Sequence, residues 1–126
     1  MVDSKMSSDW NVMALKDRRS AHILFDADGD GEIICFHCQQ AVEKVLKGYL
    51  VQKTGMLQQG HNLIRLLQKA GDFDVVLLQH IKDIAYLNGF YMETRYPADE
   101  PMVLRVDDVQ ECMSIMERVM EQLTVI

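Results

Sequence analysis

The sequence predicts an all-α protein, an antiparallel up-and-down bundle of about five helices. Apolar residues recur at steps of three and four over most of the chain, which is the spacing of one helical face. No stretch alternates apolar and polar residues over the length of a strand. The chain has 126 residues and is 48% hydrophobic, enough for one buried core. We therefore expect a single domain over residues 1–126.

The composition limits the classes of function. A formal net charge of -6 argues against the broad basic surface that duplex DNA requires. No apolar run approaches the roughly 20 residues of a membrane span. Three cysteines and a polar N-terminus without a secretory leader favour a reducing compartment. These features predict a cytoplasmic protein that binds neither duplex DNA nor a membrane.

The first helix is predicted from about Asp9 to Phe25, after a loose tail over residues 1–7 and a cap from Ser7 or Ser8. Asp17 falls within its apolar stripe. Because a buried carboxylate needs a partner, we expect a Lys or a His of the second helix beside it. The predicted inner face of the first helix consists of Trp10, Met13, Ala14, Ala21, Leu24 and Phe25.

The second helix, from Ile34 to Lys53, is the stretch around which the others are predicted to pack. One of its faces is apolar. An adjoining strip carries Gln39, Glu43 and Lys47 four residues apart, with Glu before Lys in the favourable order. Gly55 is a plausible stop, since glycine tolerates the left-handed conformation that closes a helix.

Two shorter segments follow. A third helix is predicted over residues 61–70, opened by His61 and Asn62. A fourth is predicted over residues 75–95, capped by Asp74 and with Leu78 on its inner side. It ends there because a proline follows Tyr96 and disfavours a helical conformation of that residue.

The fifth helix is predicted to run to about Leu123. Asp108, with Glu111 three residues later, resembles a capping box for its start. Several methionines are predicted on its inner side. An alternative interpretation gives Met116 and Met120 to a dimer surface, because methionine is common at adaptable contacts.

The turn after the first helix matches part of a calcium-binding loop. Asp26, Asp28 and Asp30 supply oxygen ligands at alternating positions, and Gly31 stands at the sharp turn. The position of the closing bidentate Glu is occupied by His37. We therefore interpret this segment mainly as a turn between helices and keep it only as a weak calcium candidate.

Cys35 and Cys38 form a CxxC motif, which suggests zinc or redox chemistry. Zinc needs four ligands in a tetrahedron, and the remaining histidines and cysteine are scattered without paired spacing. A redox motif of this kind normally lies in a βαβ context, which is absent here. The sequence therefore predicts core thiols, no metal and no cofactor.

The end of the fourth helix carries a candidate binding cluster. Asn88, Tyr91 and Arg95 are three and four residues apart and share one helical face. A guanidinium fork and a phenol ring suit a phosphate or a stacked base. The alternative is that Arg95 satisfies carbonyls at the helix end, or pairs with Glu43 or Asp17.

Residues 36–47 (FHCQQAVEKVLK) resemble the second-helix signature of the HEPN domain family. The similarity extends from about Trp10 to Leu123, and four motifs follow one another on the expected helices. The other motifs that resemble the family are Trp10 with Ala14, Asp17 and Ala21, then His61 with Leu63 and Leu66, then Tyr91 with Thr94, Arg95, Tyr96 and Pro97.

The resemblance implies a compact, often dimeric bundle with a nucleotide-binding cleft between its long helices. Many prokaryotic members are encoded with a minimal nucleotidyltransferase and act as the toxin of a toxin–antitoxin pair. Catalytic members are metal-independent ribonucleases in which four to six residues stand between an Arg and a following His. After Arg95 those positions hold no His, and His22 follows Arg18 with one residue too few. The acid–base group of a ribonuclease is therefore missing at the expected spacing.

Our main hypothesis is a non-catalytic HEPN module that pairs with itself and with a nucleotidyltransferase, and that holds a nucleotide or RNA. Tyr91 or Tyr96 would be the modification target of that partner. One alternative is a diverged ribonuclease with Arg95 on the phosphate and His37 or His61 folded near it. The other is a plain helical dimerisation domain. The residues predicted to line the cleft are Lys44, Lys47, Asn88, Tyr91, Arg95 and Tyr96, and the predicted structural polar residues are Asp17, Gln39, Glu43 and His61.

Overall fold

The protein is described by a computed structural model over residues 4–90 and 104–123, with side chains from Met6 onward. No strand occurs in these ranges, which confirms the all-helical prediction. None of their helices is both long and apolar enough to cross a membrane. The α-helices are α1 (Ser4–Asp26), α2 (Gly31–Thr54), α3 (Leu63–Gly71), α4 (Ile81–Asn88) and α5 (Val106–Leu123), and a 3₁₀ helix (Val75–His80) leads into α4.

The second helix is the centre of the bundle, as predicted. α1, α3 and α5 all pack along it. Val42, Leu46 and Leu50 have no solvent exposure and anchor the hydrophobic core. The helix stops at Gly55, whose φ of 73° is left-handed and whose N–H donates to the Val51 carbonyl oxygen.

The first helix begins at Ser4, so residues 4–7 are helical and the prediction of a loose tail there was wrong. Ser7 does not cap the helix. Its hydroxyl donates to the Gly48 carbonyl oxygen at 2.9 Å and ties α1 to α2. Met13, predicted to be inside, is 45% exposed. It lies about 100° around the helix from the fully buried Ala14, on the solvent side.

The turn between α1 and α2 is closed by backbone hydrogen bonds. Asp28 has a φ of 54°, a left-handed conformation that Asp tolerates. The N–H of Gly29 then donates to the Leu24 carbonyl oxygen at 2.7 Å. In the described residues no group of three or more His, Cys, Asp or Glu side chains is placed to hold a metal ion. Asp26, Asp28 and Asp30 therefore do not gather into the weak calcium site that the spacing suggested.

The chain returns alongside α2 before α3 begins. His61 lies beside Glu43, near the middle of α2, with Nδ1 and Oε1 2.9 Å apart. The side chain of Asn62 caps α3 by accepting hydrogen bonds from the N–H groups of Ile64 and Arg65. This path brings the start of α3 to the polar side of α2.

The fourth helical segment, predicted as one helix over residues 75–95, begins as a 3₁₀ helix. The Asp74 side chain caps it by accepting from the Val76 N–H at 3.1 Å, as predicted. Three residues per turn place Leu77 and His80 on the same inner side. Leu78, predicted to be inside, is 36% exposed because the tighter helix turns it outward.

The fifth helix begins at Val106, before the predicted cap. Asp108 lies in the first turn and reaches back, with Oδ2 accepting a hydrogen bond from the Arg105 N–H at 2.9 Å. This is the backward half of a capping box, so Asp108 takes the third helical position and not the cap itself.

The methionines of α5 face the core. Met113, Met116 and Met120 are 7%, 0% and 3% exposed. Their predicted position on the inner side of the helix is confirmed. The alternative prediction of a methionine-rich dimer surface was wrong, because these side chains are already covered within one copy of the chain.

The three cysteines are buried and unpaired, which confirms the prediction of core thiols. Cys38 Sγ donates to Met113 Sδ at 3.5 Å across the α2–α5 interface. Burial raises the pKa of the Cys38 thiol. A hydrogen bond with Cys35 and burial both raise the pKa of Cys112. Cys38 and Cys112 therefore stay protonated, and all three cysteines pack as small apolar side chains.

Candidate functional site

A row of polar side chains runs along the side of α2 that faces α1 and the start of α3. Residues three, four and seven apart lie on one side of a helix, so these side chains share it. Glu43 and Lys47 are 3% and 6% exposed, as little as many apolar core residues. We call this row the polar strip; its members are His37, Gln39, Gln40, Glu43, Lys44 and Lys47.

The first charged group of the strip joins α2 to α1. Asp17 lies on α1, and its side chain is 13% exposed. The Lys44 ammonium donates to Asp17 Oδ2. His37 Nδ1 lies 3.0 Å from the other carboxylate oxygen, Oδ1. One carboxylate is therefore shared between a lysine and a histidine of α2.

The second charged group joins α2 to the start of α3. Lys47 Nζ lies 3.4 Å from Glu43 Oε2, and His61 Nδ1 lies 2.9 Å from Glu43 Oε1. The lysine also lies 5.7 Å from the centre of the Trp10 ring, within the range of a cation–π interaction. The His61 side chain is half exposed. Again a lysine and a histidine share one carboxylate.

Between these groups the strip carries an unsatisfied donor. Gln39 has no solvent exposure. Its Oε1 accepts from Gln40 Nε2 at 2.8 Å, while its own Nε2 has no hydrogen-bond partner in the described part of the chain. A buried donor without a partner costs about 1–3 kcal/mol. The strip therefore has spare hydrogen-bonding capacity.

The structure brings together only some of the residues predicted to line the cleft. Lys44 and Lys47 both lie in the polar strip. Asn88 has a different contact, since its Oδ1 accepts a hydrogen bond from the Leu63 N–H at 2.8 Å and supports the start of α3. The remaining three predicted residues, Tyr91, Arg95 and Tyr96, lie outside the described residues.

His37, Gln40 and Trp10 belong to this site but were in neither the predicted cleft nor the predicted set of structural polar residues. His37 stands seven residues before Lys44, so the helical period already placed it on the same face. Trp10 was assigned to the core from the apolar stripe of α1. Its approach to Lys47 depends on how α1 crosses α2, which no local pattern in the sequence reports.

A second charged cluster links α1 to α5. Glu117 accepts from Arg18 Nε at 2.7 Å and from Arg18 Nη2 at 3.1 Å, and its Oε1 lies 2.6 Å from His22 Nε2. Burial alone would raise the pKa of Glu117, but the hydrogen bonds from Arg18 and His22 outweigh it and lower that pKa. Both oxygens of this carboxylate lie against the fork of the guanidinium.

These features define a class of protein: a small helical bundle whose central helix carries a largely buried strip of polar and charged side chains. The model of the HEPN domain family matches residues 7–125 of the sequence. The chain therefore belongs to the HEPN domain family. No curated protein matches it.

Two solved structures are similar over nearly the whole chain. TT1696 from Thermus thermophilus has a TM-score of 0.84 and 24% sequence identity, covering 94% of this chain and 95% of that chain. ST0689, an archaeal HEPN homologue, has a TM-score of 0.70 and 24% identity, with 94% of each chain covered. At this level of identity the similarity shows a shared fold.

Proposed function

We propose that this HEPN domain is a non-catalytic binding module that holds the phosphates of a nucleotide on the polar strip. The observation that supports this proposal is the pairing of each strip lysine with a carboxylate that also has a histidine partner. Burying charges costs several kcal/mol per ion, so an apolar strip would give a more stable bundle. Binding gives a physical reason for the charges.

The shared carboxylates explain how paired lysines accept a phosphate. When Lys47 turns towards the ligand, His61 keeps its contact with Glu43, so the buried carboxylate is not left without a partner. His37 does the same for Asp17 when Lys44 moves. The proposal also includes a polyphosphate contact for Arg95, which rests on the sequence.

The cluster of Arg18, His22 and Glu117 supports binding over cleavage. An arginine and a histidine are the groups that a metal-independent ribonuclease uses on a phosphodiester. Here a carboxylate occupies the fork of Arg18 and contacts His22. A phosphate at this place would meet the negative charge of Glu117, so the pair does not present an open anion site.

Isothermal titration with ATP tests the nucleotide site. We expect the wild type to bind and the Lys47→Met variant, which keeps the aliphatic stem, to bind at least about tenfold more weakly. Lys53→Met is the matched control, because Lys53 lies on the same helix but contacts Tyr49 at the surface. Arg95→Ala should also lose affinity without a change in melting temperature.

Two outcomes of the titration would contradict the proposal. A wild type that binds no ATP, or equal affinities for the wild type and Lys47→Met, would contradict the proposed site. A melting curve for each variant separates lost binding from lost folding.

We further propose a minimal nucleotidyltransferase as the partner, in an arrangement of the toxin–antitoxin type. Family membership supports this assignment. A tagged chain recovered from its native cell should bring the nucleotidyltransferase with it, or should carry a nucleotide-sized mass adduct on Tyr91 or Tyr96. Recovery of the unmodified chain alone would contradict the partnership.

A further inference from the structure

A cavity of about 490 Å³ lies where the turn between α1 and α2 meets the start of α5. Ile34 and Val109 in its wall are 2% and 8% exposed and belong to the hydrophobic core. Phe25 and Leu104 are partly buried and pack against the same core. Val106 in the same wall is 70% exposed, so the cavity is open to solvent. It is therefore an apolar depression in the core, of a size typical of small-molecule sites.

Close contacts hold the walls of this cavity in place. A Cβ atom at Gly31, where α2 begins, would come within 2.8 Å of Val109 Cγ2, so α2 and α5 touch directly there. The Gly29 N–H closes the turn by a 2.7 Å hydrogen bond to a carbonyl oxygen of α1. The Arg105 N–H donates to Asp108 Oδ2 and fixes the start of α5. The cavity is therefore part of the fold itself, as small-molecule sites usually are.

Two opposite charges also line the cavity. Asp28 lies in the turn and Arg105 directly before α5, and both are exposed. The Asp28 carboxylate and the Arg105 guanidinium make no hydrogen bond or ion pair with the described residues, including each other. Asp108 is already engaged, since its two oxygens accept from the Arg105 N–H and the Tyr86 hydroxyl. The cavity thus presents one carboxylate and one guanidinium beside an apolar wall.

We propose that this cavity binds a small zwitterion, an α-amino acid with a large apolar side chain. The apolar side chain lies against Phe25, Ile34 and Val109, and its burial provides binding free energy. The ammonium group of the ligand pairs with Asp28, and its carboxylate accepts hydrogen bonds from the guanidinium fork of Arg105. A simple anion would meet the negative charge of Asp28, and a simple cation the positive charge of Arg105. Only a ligand with both charges satisfies both groups.

This site is separate from the proposed nucleotide site. No residue of the polar strip is among the residues that line the cavity. The turn beside the cavity also carries three further exposed carboxylates, those of Asp26, Asp30 and Glu32. They would repel the phosphates of a nucleotide but not a ligand without net charge. Failure of either proposal therefore leaves the other standing.

NMR titrations of the isotope-labelled wild type test the proposal with four probes. L-phenylalanine is the complete ligand, phenethylamine lacks the carboxylate, 3-phenylpropanoate lacks the ammonium group, and free glycine lacks the apolar side chain. We expect L-phenylalanine to shift the amide signals of Gly29 and Gly31, which line the cavity, in a saturable manner. Each of the other three probes should bind at least about tenfold more weakly.

Neutral variants assign the two charges. Arg105→Met keeps an aliphatic stem, and Asp28→Asn suits the left-handed backbone at that position, where φ is 54°. Each should weaken the binding of L-phenylalanine at least about tenfold. Arg105→Met should not weaken the binding of phenethylamine, because that probe has no carboxylate. Asp107→Asn and Arg19→Met are the matched controls, since they remove the same charges at exposed positions outside the cavity wall. They should leave the affinity for L-phenylalanine unchanged.

Three results would overturn the proposal. One is the absence of any saturable shift with L-phenylalanine. Another is equally strong binding of phenethylamine or 3-phenylpropanoate, which would mean that one charge of the ligand is not read. The third is an unchanged affinity for L-phenylalanine in both neutral variants. A melting curve checks the fold of each variant, and the probe series on the wild type decides the result even where a variant does not fold.

Discussion

The two long interfaces of the central helix differ in their chemistry. Towards α1 the contacts include directional polar bonds, from Ser7 to Gly48 and from Lys44 to Asp17. Towards α5 the contacts include polarisable sulfur atoms, with Cys38 Sγ lying 3.5 Å from Met113 Sδ. Directional bonds fix how two helices align, whereas sulfur-containing side chains adapt to irregular gaps. The α1 interface therefore sets the geometry, and the α5 interface fills the core.

This difference has an energetic consequence. A buried ion pair repays its desolvation only when its geometry is excellent. The 3.4 Å separation between Lys47 Nζ and Glu43 Oε2 is longer than a good charge-assisted hydrogen bond. The α5 interface carries no comparable cost. The polar strip is thus the part of the core in which buried charges cost stability.

The largest expected effect comes from breaking one charged group of the strip. Glu43→Leu should lower the free energy of unfolding by about 3–5 kcal/mol, because Lys47 is left buried without its carboxylate. The double variant Glu43→Leu with Lys47→Met should recover most of that loss or exceed the wild type. Urea denaturation at pH 7 measures both.

A substitution at the surface is the control for these two variants. Gln52→Leu, at an exposed position of the same helix, should change the free energy of unfolding by less than about 0.5 kcal/mol. Equal losses of stability in the single and the double variant would mean that the unpaired Lys47 does not cause the loss, and would contradict the energetic cost assigned to the buried charges.

Much of the fold follows from local patterns. The caps by Asn62 and Asp74 and the left-handed stop at Gly55 are local rules, and the structure has all three. The errors arise where a tertiary contact overrides such a rule. Ser7 is a good capping residue, yet its hydroxyl bonds Gly48 on another helix. The 3₁₀ start of the fourth segment also lacked a clear signal, since apolar residues fit either helical form.

The candidate site was less predictable than the fold. The spacing on α2 indicated that Glu43 and Lys47 lie together, because that contact is within one helix. The contacts of Trp10 and His61 with this pair join different elements, and a single sequence does not encode their distance directly. The pairing of Arg18 with Glu117 across 99 positions is of the same kind.

The α1 interface should also be the less tolerant of added volume. A Cβ atom at Gly48 would lie 3.1 Å from Trp10 Cβ and 3.3 Å from the Ser7 carbonyl oxygen. The carbonyl oxygen is part of the α1 main chain, and the Cβ atom is bonded directly to it. Neither atom can therefore rotate away from the added methyl group. Gly48→Ala should therefore destabilise the protein by about 1 kcal/mol, within the range for overpacking. Thermal denaturation measures this.

Gly89 is the matched control for that substitution. A Cβ there would meet its nearest atom at 3.7 Å, an ordinary contact. Its backbone has a φ of -68°, so Gly89→Ala should stabilise by about 0.4–1 kcal/mol through the unfolded state. Equal responses at the two glycines would mean that α1 can move away from α2, against the geometric role given to this interface.

The smallest expected effect concerns the second charged cluster, formed by Arg18, His22 and Glu117 between α1 and α5, since its groups are about 40% exposed. Arg18 and His22 lower the pKa of Glu117 below its ordinary value of 4.5. A lowered folded-state pKa contributes stability above the unfolded value, and this contribution is lost as the pH falls through the folded value. The stability advantage of the wild type over Glu117→Gln should therefore be constant near neutral pH and shrink below about pH 4.5.

Denaturation of both proteins over a pH series measures this difference directly. The Arg18→Met variant lacks the bidentate partner of Glu117. The difference in unfolding free energy between this variant and the double variant Arg18→Met with Glu117→Gln should therefore be smaller, and should vary less with pH. If the difference in unfolding free energy between the wild type and Glu117→Gln stays unchanged down to pH 3, the charge of Glu117 does not stabilise the fold. The contact would then act through packing, and the link between α1 and α5 would resemble the sulfur-containing α5 interface more than the directional α1 interface.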